Sequence, residues 1–188
     1  MIENLDEIRK ILLNNGVIAF VTDTVWGIGC LPESEIAVNK IYDIKARDRN
    51  KPLILMSSNL DNLYPYVTDK ISDEVNELLT ENLPGAFTMV LPKSEQVPDF
   101  VTSGFDTVGI RVPDCDVFAE ICESIPNKVL ATTSANLSNE PPALTYQEAI
   151  EYVGDKVDMV VYDYGFQADG KPSKVVGYIN NEVKVFRA

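Results

Sequence analysis

No histidine occurs anywhere in the 188 residues. That absence removes Ser-His-Asp and Cys-His nucleophile pairs, HExxH zinc sites and imidazole proton shuttles. Any chemistry must run on carboxylates, lysine, hydroxyls, a bound metal or the substrate itself. Cysteine is scarce too. Cys30, Cys115 and Cys122 form neither a CxxC pair nor a metal-ligand spacing, and are expected to be buried or half-buried free thiols in a reducing compartment. Cations are few: 16 Lys plus Arg stand against 29 Asp plus Glu, a formal net charge of −13. That balance disfavours non-specific attraction to a nucleic-acid backbone or an anionic membrane. No apolar run is long enough to cross a bilayer, and the N-terminus lacks the pattern of a signal peptide. The expected location is therefore cytoplasmic, with no membrane partner. Repeats, low-complexity tracts and linkers are also missing, so residues 1–188 read as one domain.

Where cations are rare, their placement is informative. Four of the 16 fall in Lys45-Ala46-Arg47-Asp48-Arg49-Asn50-Lys51-Pro52. An acidic chain that gathers positive charge in one place has reason to hold an anion there, and Arg presents a planar fork matched to phosphate oxygens. The competing reading is a solvated loop whose cations favour the C-terminal end of a helix dipole.

Apolar periodicity predicts helices over residues 5–14, 33–45, 72–79 and 117–125, with Asn15-Gly16 closing the first and Ser72 capping the third. Thr145-Tyr146-Gln147-Glu148 reads as a capping box opening another. Short apolar runs predict strands over 17–21, 53–56, 87–91, 107–112, 129–133 and 159–162. Two runs around Asn180-Asn181, 174–179 and 182–186, predict a hairpin. Residues 22–30 read as a loop at the carboxyl end of a buried strand, where open α/β sheets tend to bind ligands. The expected class is α/β, with a twisted mixed parallel/antiparallel sheet and flanking helices around a concave, locally basic cavity.

Three stretches are candidates for ligand contact, each with a bland alternative. Arg111 lies inside an apolar strand run. It is costly to bury unpaired, and it either faces solvent or awaits a carboxylate or phosphate. Ser134-Ala135-Asn136 follows a strand and either binds a ligand or caps a turn. The Thr22 to Gly29 loop carries Asp23, which could meet a ligand amine or a hydrated metal, or cap a turn. It has neither a third dinucleotide-type glycine nor a Walker motif.

In combination these segments resemble a known family. Val21-Thr22-Asp23-Thr24-Val25-Trp26-Gly27-Ile28-Gly29-Cys30 is similar to the Pro-Thr-(Asp/Glu)-Thr-Val-Tyr-Gly-Leu-Gly opening of YrdC-like threonylcarbamoyl-AMP synthases. Residues 41–52 resemble their helix-end Lys-x-Arg segment, and Leu83-Pro84-Gly85-Ala86-Phe87-Thr88 resembles Trp-Pro-Gly-Pro-(Leu/Val)-Thr. Residues 107–113 resemble (Thr/Ser)-Val-(Ala/Gly)-Val-Arg-x-Pro, and 133–141 resemble Ser-Ala-Asn-Leu-Ser-Gly-x-Pro. The segments occur in the family's order over nearly the whole chain, in what is expected to be its short single-domain form. Trp26 stands for the usual Tyr, Leu83 for Trp and Gly177 for Asp. Met56 stands where some members carry His and Lys174 where Thr is common, and both bear on amino-acid specificity.

The resemblance implies a reaction in which L-threonine and bicarbonate give a carbamate. The carbamate carboxylate attacks the α-phosphorus of ATP, forming threonylcarbamoyl-AMP and pyrophosphate. Downstream tRNA-modification proteins then move the threonylcarbamoyl group to an adenosine beside the anticodon. The nucleophile belongs to the substrate, so no protein residue acts covalently, and the enzyme positions reactants and offsets charge, through Lys45, Arg47 and Arg111. Mg²⁺ is expected to arrive with ATP rather than in a protein-only site. Family ATP contacts map to Lys45, Arg47, Lys51, Thr107, Ser134, Asn136 and Arg187. Threonine contacts map to Thr24, Arg111, Thr132 and Ser173. Two alternatives accompany this reading. One is a double-stranded-RNA-binding module, with weak RNA contact as its lesser form. The other is a carbamoyl-adenylate enzyme like the corresponding domain of hydrogenase-maturation carbamoyltransferases.

Overall fold

A computed structural model describes residues 2–46, 48–68, 71–138, 140–179 and 182–188. The expected first helix forms as α1 (Leu5–Leu13), burying Ile8 and Leu12. Asn15 takes a positive φ of 60° just past its end, and the Gly16 N–H returns to the Ile11 carbonyl at 2.9 Å. β1 (Ile18–Phe20) follows, then β2 (Gly27–Cys30) and α2 (Glu35–Lys45), which the Ser34 hydroxyl caps by accepting from the Ala37 N–H. β3 (Ile54–Ser57), a 3-10 turn (Tyr64–Tyr66), α3 (Asp73–Asn82) and β4 (Phe87–Pro92) come next. The chain continues through α4 (Asp99–Thr102), β5 (Thr107–Arg111), α5 (Asp116–Glu123), β6 (Val129–Ser134) and α6 (Tyr146–Val153). It closes with β7 (Met159–Val160), β8 (Lys174–Ile179) and β9 (Glu182–Arg187). The capping box at Thr145 and Glu148 is present. β8 and β9 pair antiparallel as expected, and their Asn180-Asn181 turn lies outside the described residues.

β2 corrects the sequence reading, which assigned residues 22–30 wholly to a loop. Glycine weakens strand propensity, and β2 has the sequence Gly-Ile-Gly-Cys. Its glycines are explained by a close approach. The Phe20 ring lies across the strand, and a Cβ at Gly27 would stand 2.9 Å from it.

The strands form one mixed sheet in the order β7-β1-β2-β6-β3-β5-β4-β8-β9, with parallel pairs at β1/β7, β3/β5 and β4/β8. Directly opposed residues share a face, so the register separates two surfaces. On one, Cys30, Ala131, Leu55, Ile110, Met89 and Val176 run across the sheet, and all are buried. On the other, Gly29, Thr132, Ile54, Gly109, Val90 and Gly177 form the matching row. Helices α1 and α5 contact β1 and β3 respectively. The second face hosts a cavity, and small residues keep its floor shallow. At Gly109 a Cβ would meet Ile54 Cγ2 at 2.7 Å.

All three cysteines are buried free thiols. Burial pushes their pKa values up, that of Cys115 to about 11. No helix among the described residues is long and apolar enough to cross a membrane.

Candidate active site

A cavity of about 680 Å³ opens over the second face of the sheet. Its lining includes three cationic side chains, Lys51, Arg111 and Arg187, and no carboxylate among the described residues. β3 and β5 run parallel, and β6 runs against β3. The start of β5 at Thr107, the loop before β3 with Lys51, and the end of β6 at Ser134 therefore share one end of the cavity. The other end holds Arg111, opposite Met56 in the β3/β5 register.

Arg111 is only 4% exposed, and its guanidinium is held on three sides. Nε donates to the Gly85 carbonyl at 3.1 Å, Nη1 to Thr24 Oγ1 at 2.9 Å and Nη2 to Asp23 Oδ1 at 2.5 Å. Burial lowers the Arg111 pKa from its ordinary value, and Asp23 counteracts it. A guanidinium carries about five N–H donors, so donors on both Nη atoms remain for a ligand. The strand run that made Arg111 conspicuous in the sequence thus turns it into the cavity and pairs it. Its partner loop is fixed in turn. Thr22 Oγ1 donates to the Val25 carbonyl at 2.6 Å and lies 3.1 Å from Thr24 Oγ1, and the Gly170 N–H donates to the Thr24 carbonyl at 2.8 Å.

The opposite end combines the loop before β3 with the ends of β5 and β6. Lys51 is exposed and follows a turn closed by its own N–H to the Asp48 carbonyl. Ser134 Oγ donates to Asn136 Oδ1 at 2.7 Å. Lys45 and Asn136 sit behind this lining rather than in it. Lys45 is 1% exposed and donates through Nζ to the Ser134 carbonyl at 2.6 Å, the Asn136 carbonyl at 2.8 Å and Asn136 Oδ1 at 2.7 Å. The ammonium therefore fastens the end of α2 to the turn after β6. The Ser138 N–H to the Lys45 carbonyl, 2.9 Å, repeats the tie through the backbone.

Of the residues singled out in the sequence, Thr24, Lys51, Thr107, Arg111, Thr132, Ser134, Ser173 and Arg187 line this one cavity. Arg47 lies outside the described residues. Met56 also lines it, 4% exposed. Arg49 turns away, stacking over the Tyr42 ring at 5.5 Å and pairing with Asp43 at 3.4 Å on the surface. Two lining residues had no site role assigned from the sequence, although Thr88 closes one of the family motifs. Thr88 looked like an ordinary strand threonine, and Phe105, 49% exposed, sits in the turn before β5.

Comparison with known proteins identifies relatives of this chain. A threonylcarbamoyl-AMP synthase of Enterobacter sp. (strain 638) is 35% identical over 173 residues, 92% of this chain and 90% of that one. A protein of the same name from Klebsiella pneumoniae is 37% identical over 151 residues, 80% of this chain and 79% of its own length. The crystal structure of P. abyssi Sua5 complexed with L-threonine superimposes with a TM-score of 0.89 at 28% identity, covering 97% of this chain. This chain spans about half, 54%, of that protein. The family model Sua5_yciO_yrdC, described as telomere recombination, matches residues 10–188, and the chain belongs to the Sua5/YciO/YrdC family.

Proposed function

We propose that the chain is a threonylcarbamoyl-AMP synthase, converting L-threonine, bicarbonate and ATP to threonylcarbamoyl-AMP and pyrophosphate. One observation carries the reading: a single cavity has a buried, pre-oriented guanidinium at one end and a lysine-bearing loop with two hydroxyl residues, Thr107 and Ser134, at the other. Arg111 holds the amino-acid carboxylate with its remaining Nη donors. Lys51, Ser134 and Thr107 face the phosphates, joined by Arg47 of the same basic stretch, and Phe105 offers an aromatic face for the base. Thr132, on the floor between the two ends, contacts the amino acid.

The carbamate carboxylate is the nucleophile, and it displaces pyrophosphate from the α-phosphorus. The protein contributes orientation and charge, which suits a lining without histidine or carboxylate. No group of three or more Cys, Asp or Glu placed to hold a metal ion occurs among the described residues. In this proposal Mg²⁺ is carried on the ATP phosphates. A cytoplasmic location and onward transfer to tRNA by partner proteins complete the reading. The carbamoyl-adenylate alternative has less support, since the relatives at 35 and 37% identity carry the synthase name.

The test is direct. Full-length protein with Mg²⁺, ATP, L-threonine and bicarbonate should release pyrophosphate and yield an adenylate of the expected mass. No product from well-folded protein, or product only when carbamoyl phosphate replaces threonine and bicarbonate, overturns the proposal.

A further inference from the structure

The amino-acid end of the cavity contains a hydroxyl pair of which Thr88 has no contact assigned so far and Ser173 has one only by the family resemblance, to threonine. Thr88 and Ser173 are 1% and 4% exposed, both line the cavity, and their Oγ atoms stand 2.9 Å apart. Arg187 closes on the pair from β9. Its Nη2 donates to Ser173 Oγ at 3.2 Å and its Nε to the Ser173 carbonyl at 2.8 Å. The register brings them together, because Val175 pairs with Thr88 on one side and with Arg187 on the other.

The proton count is the informative part. Two hydroxyls carry two protons, and their mutual bond uses one, whichever group donates. The other has no acceptor among the described residues. The guanidinium donating into Ser173 polarises the pair, so the spare O–H is a strengthened donor backed by a cation. That is a fit for one oxygen of a small anion.

Position narrows the anion. Met89 pairs with Ile110, so Thr88 lies at the Arg111 end of the sheet. Thr107, at the nucleotide end, is four residues back along β5, about 13 Å away. With the amino-acid carboxylate on Arg111, the α-nitrogen lies within the same end, and the carbon it acquires must be held beside it. Building on the synthase reading, we propose that Thr88 and Ser173, backed by Arg187, form the subsite for the one-carbon oxyanion: bicarbonate first, then the N-carboxylate made from it. The lone pair of the neutral amine attacks the bicarbonate carbon and a C–O bond breaks. The departing hydroxide takes an amine proton and leaves as water. The new carboxylate stays on the hydroxyl pair until it attacks ATP.

Initial rates of pyrophosphate release, measured in degassed buffer against each substrate in turn, test the assignment. Thr88→Val should raise the half-saturating bicarbonate concentration about tenfold or more, the worth of one hydrogen bond to a charged group. The values for ATP and threonine should shift less than about twofold, since neither loses a donor. Thr88→Ser, which keeps the hydroxyl, should restore the parent value. Trp26 is the single tryptophan and lines the cavity. An unchanged ATP titration of its fluorescence in Thr88→Val would show the cavity intact. A shift falling on ATP would assign the hydroxyls to phosphate and overturn the subsite. So would equal shifts in all three substrates, no shift in any, or failure of Thr88→Ser to restore. A parent protein that makes no adenylate is a different result: it overturns the synthase reading itself, and this subsite with it.

Discussion

The two ends of the cavity are built on opposite principles. At the Arg111 end, Arg111 and Thr88 stand on strands, Asp23, Thr24 and Ser173 come from loops, all but Asp23 are nearly inaccessible to solvent, and the groups are already hydrogen-bonded to one another. At the Lys51 end, the loop before β3 meets the first residue of β5 and the last of β6, and Lys45 ties the end of β6 down from behind. A buried charge must be paired to exist at all, so the first end doubles as part of the fold. An exposed lysine on a loop, as Lys51 is, carries little burial cost. The comparison teaches that substitutions at one end should cost stability and binding together, while at the other end the two separate.

The largest effect should come from Arg111→Ala. It strands the Asp23 carboxylate, whose side chain is 16% exposed, without its partner. A loss of about 3–5 kcal/mol is expected in denaturant unfolding, along with loss of threonine binding in a Trp26 fluorescence titration. Adding Asp23→Asn to that variant should recover part of the stability and none of the threonine affinity. Recovery of both would break the distinction drawn here.

Lys45→Ala comes next. It removes the charged donor from the Asn136 carbonyl, and from the Ser134 carbonyl and Asn136 Oδ1, which keep only the Asn136 N–H and Ser134 Oγ, at about 2–3 kcal/mol. ATP affinity should fall as well, although Lys45 does not line the cavity, because the Ser134 turn loosens. Unchanged ATP affinity in a destabilised protein would reduce Lys45 to a structural tie. Lys51→Ala should separate the two quantities most cleanly. Its unfolding free energy should stay within about 0.5 kcal/mol of the parent, as for most surface changes. Its ATP affinity should drop about tenfold, consistent with one charge-assisted contact.

The smallest effect lies away from both ends and serves as their control. Burial works to raise the Asp158 pKa, but the hydrogen bonds from Lys40, at 2.6 Å, and the Val17 N–H, at 2.7 Å, outweigh it and hold the carboxyl below its ordinary value. A depressed carboxyl stabilises the fold above the ordinary carboxylate range and loses that contribution as pH falls through its folded value. Asp158→Asn should therefore lower stability at neutral pH and remove part of the loss seen on acidification, leaving both ligand titrations unchanged. A shift in either titration would mean that the junction between α2 and β1 reaches the cavity.

Most helices and strands could be read from period and caps, because those signals are local: Ser72, Thr145 with Glu148, and the apolar runs of β3 to β6 each lie within a few residues. β2 could not, because the reason for its glycines is the Phe20 ring on the neighbouring strand. Thr88 was passed over for a similar reason. A threonine in a strand is unremarkable until register sets it against Ser173, a residue 85 positions away.

The sequence by itself determined the class of fold, the absence of any imidazole-based chemistry, and the concentration of cations before β3, since composition and short-range spacing carry these. Its motifs, in order, also pointed to the family. Only the tertiary structure decided which polar residues face the cavity and which stand behind it. Lys45 and Lys51 are six positions apart in one basic stretch, yet one is sealed against Asn136 and the other reaches the lining. The physical reason is that burial and pairing belong to the neighbours a residue acquires on folding, and for Lys45 those neighbours lie about ninety residues further along the chain, at |i−j| of 89 and 91.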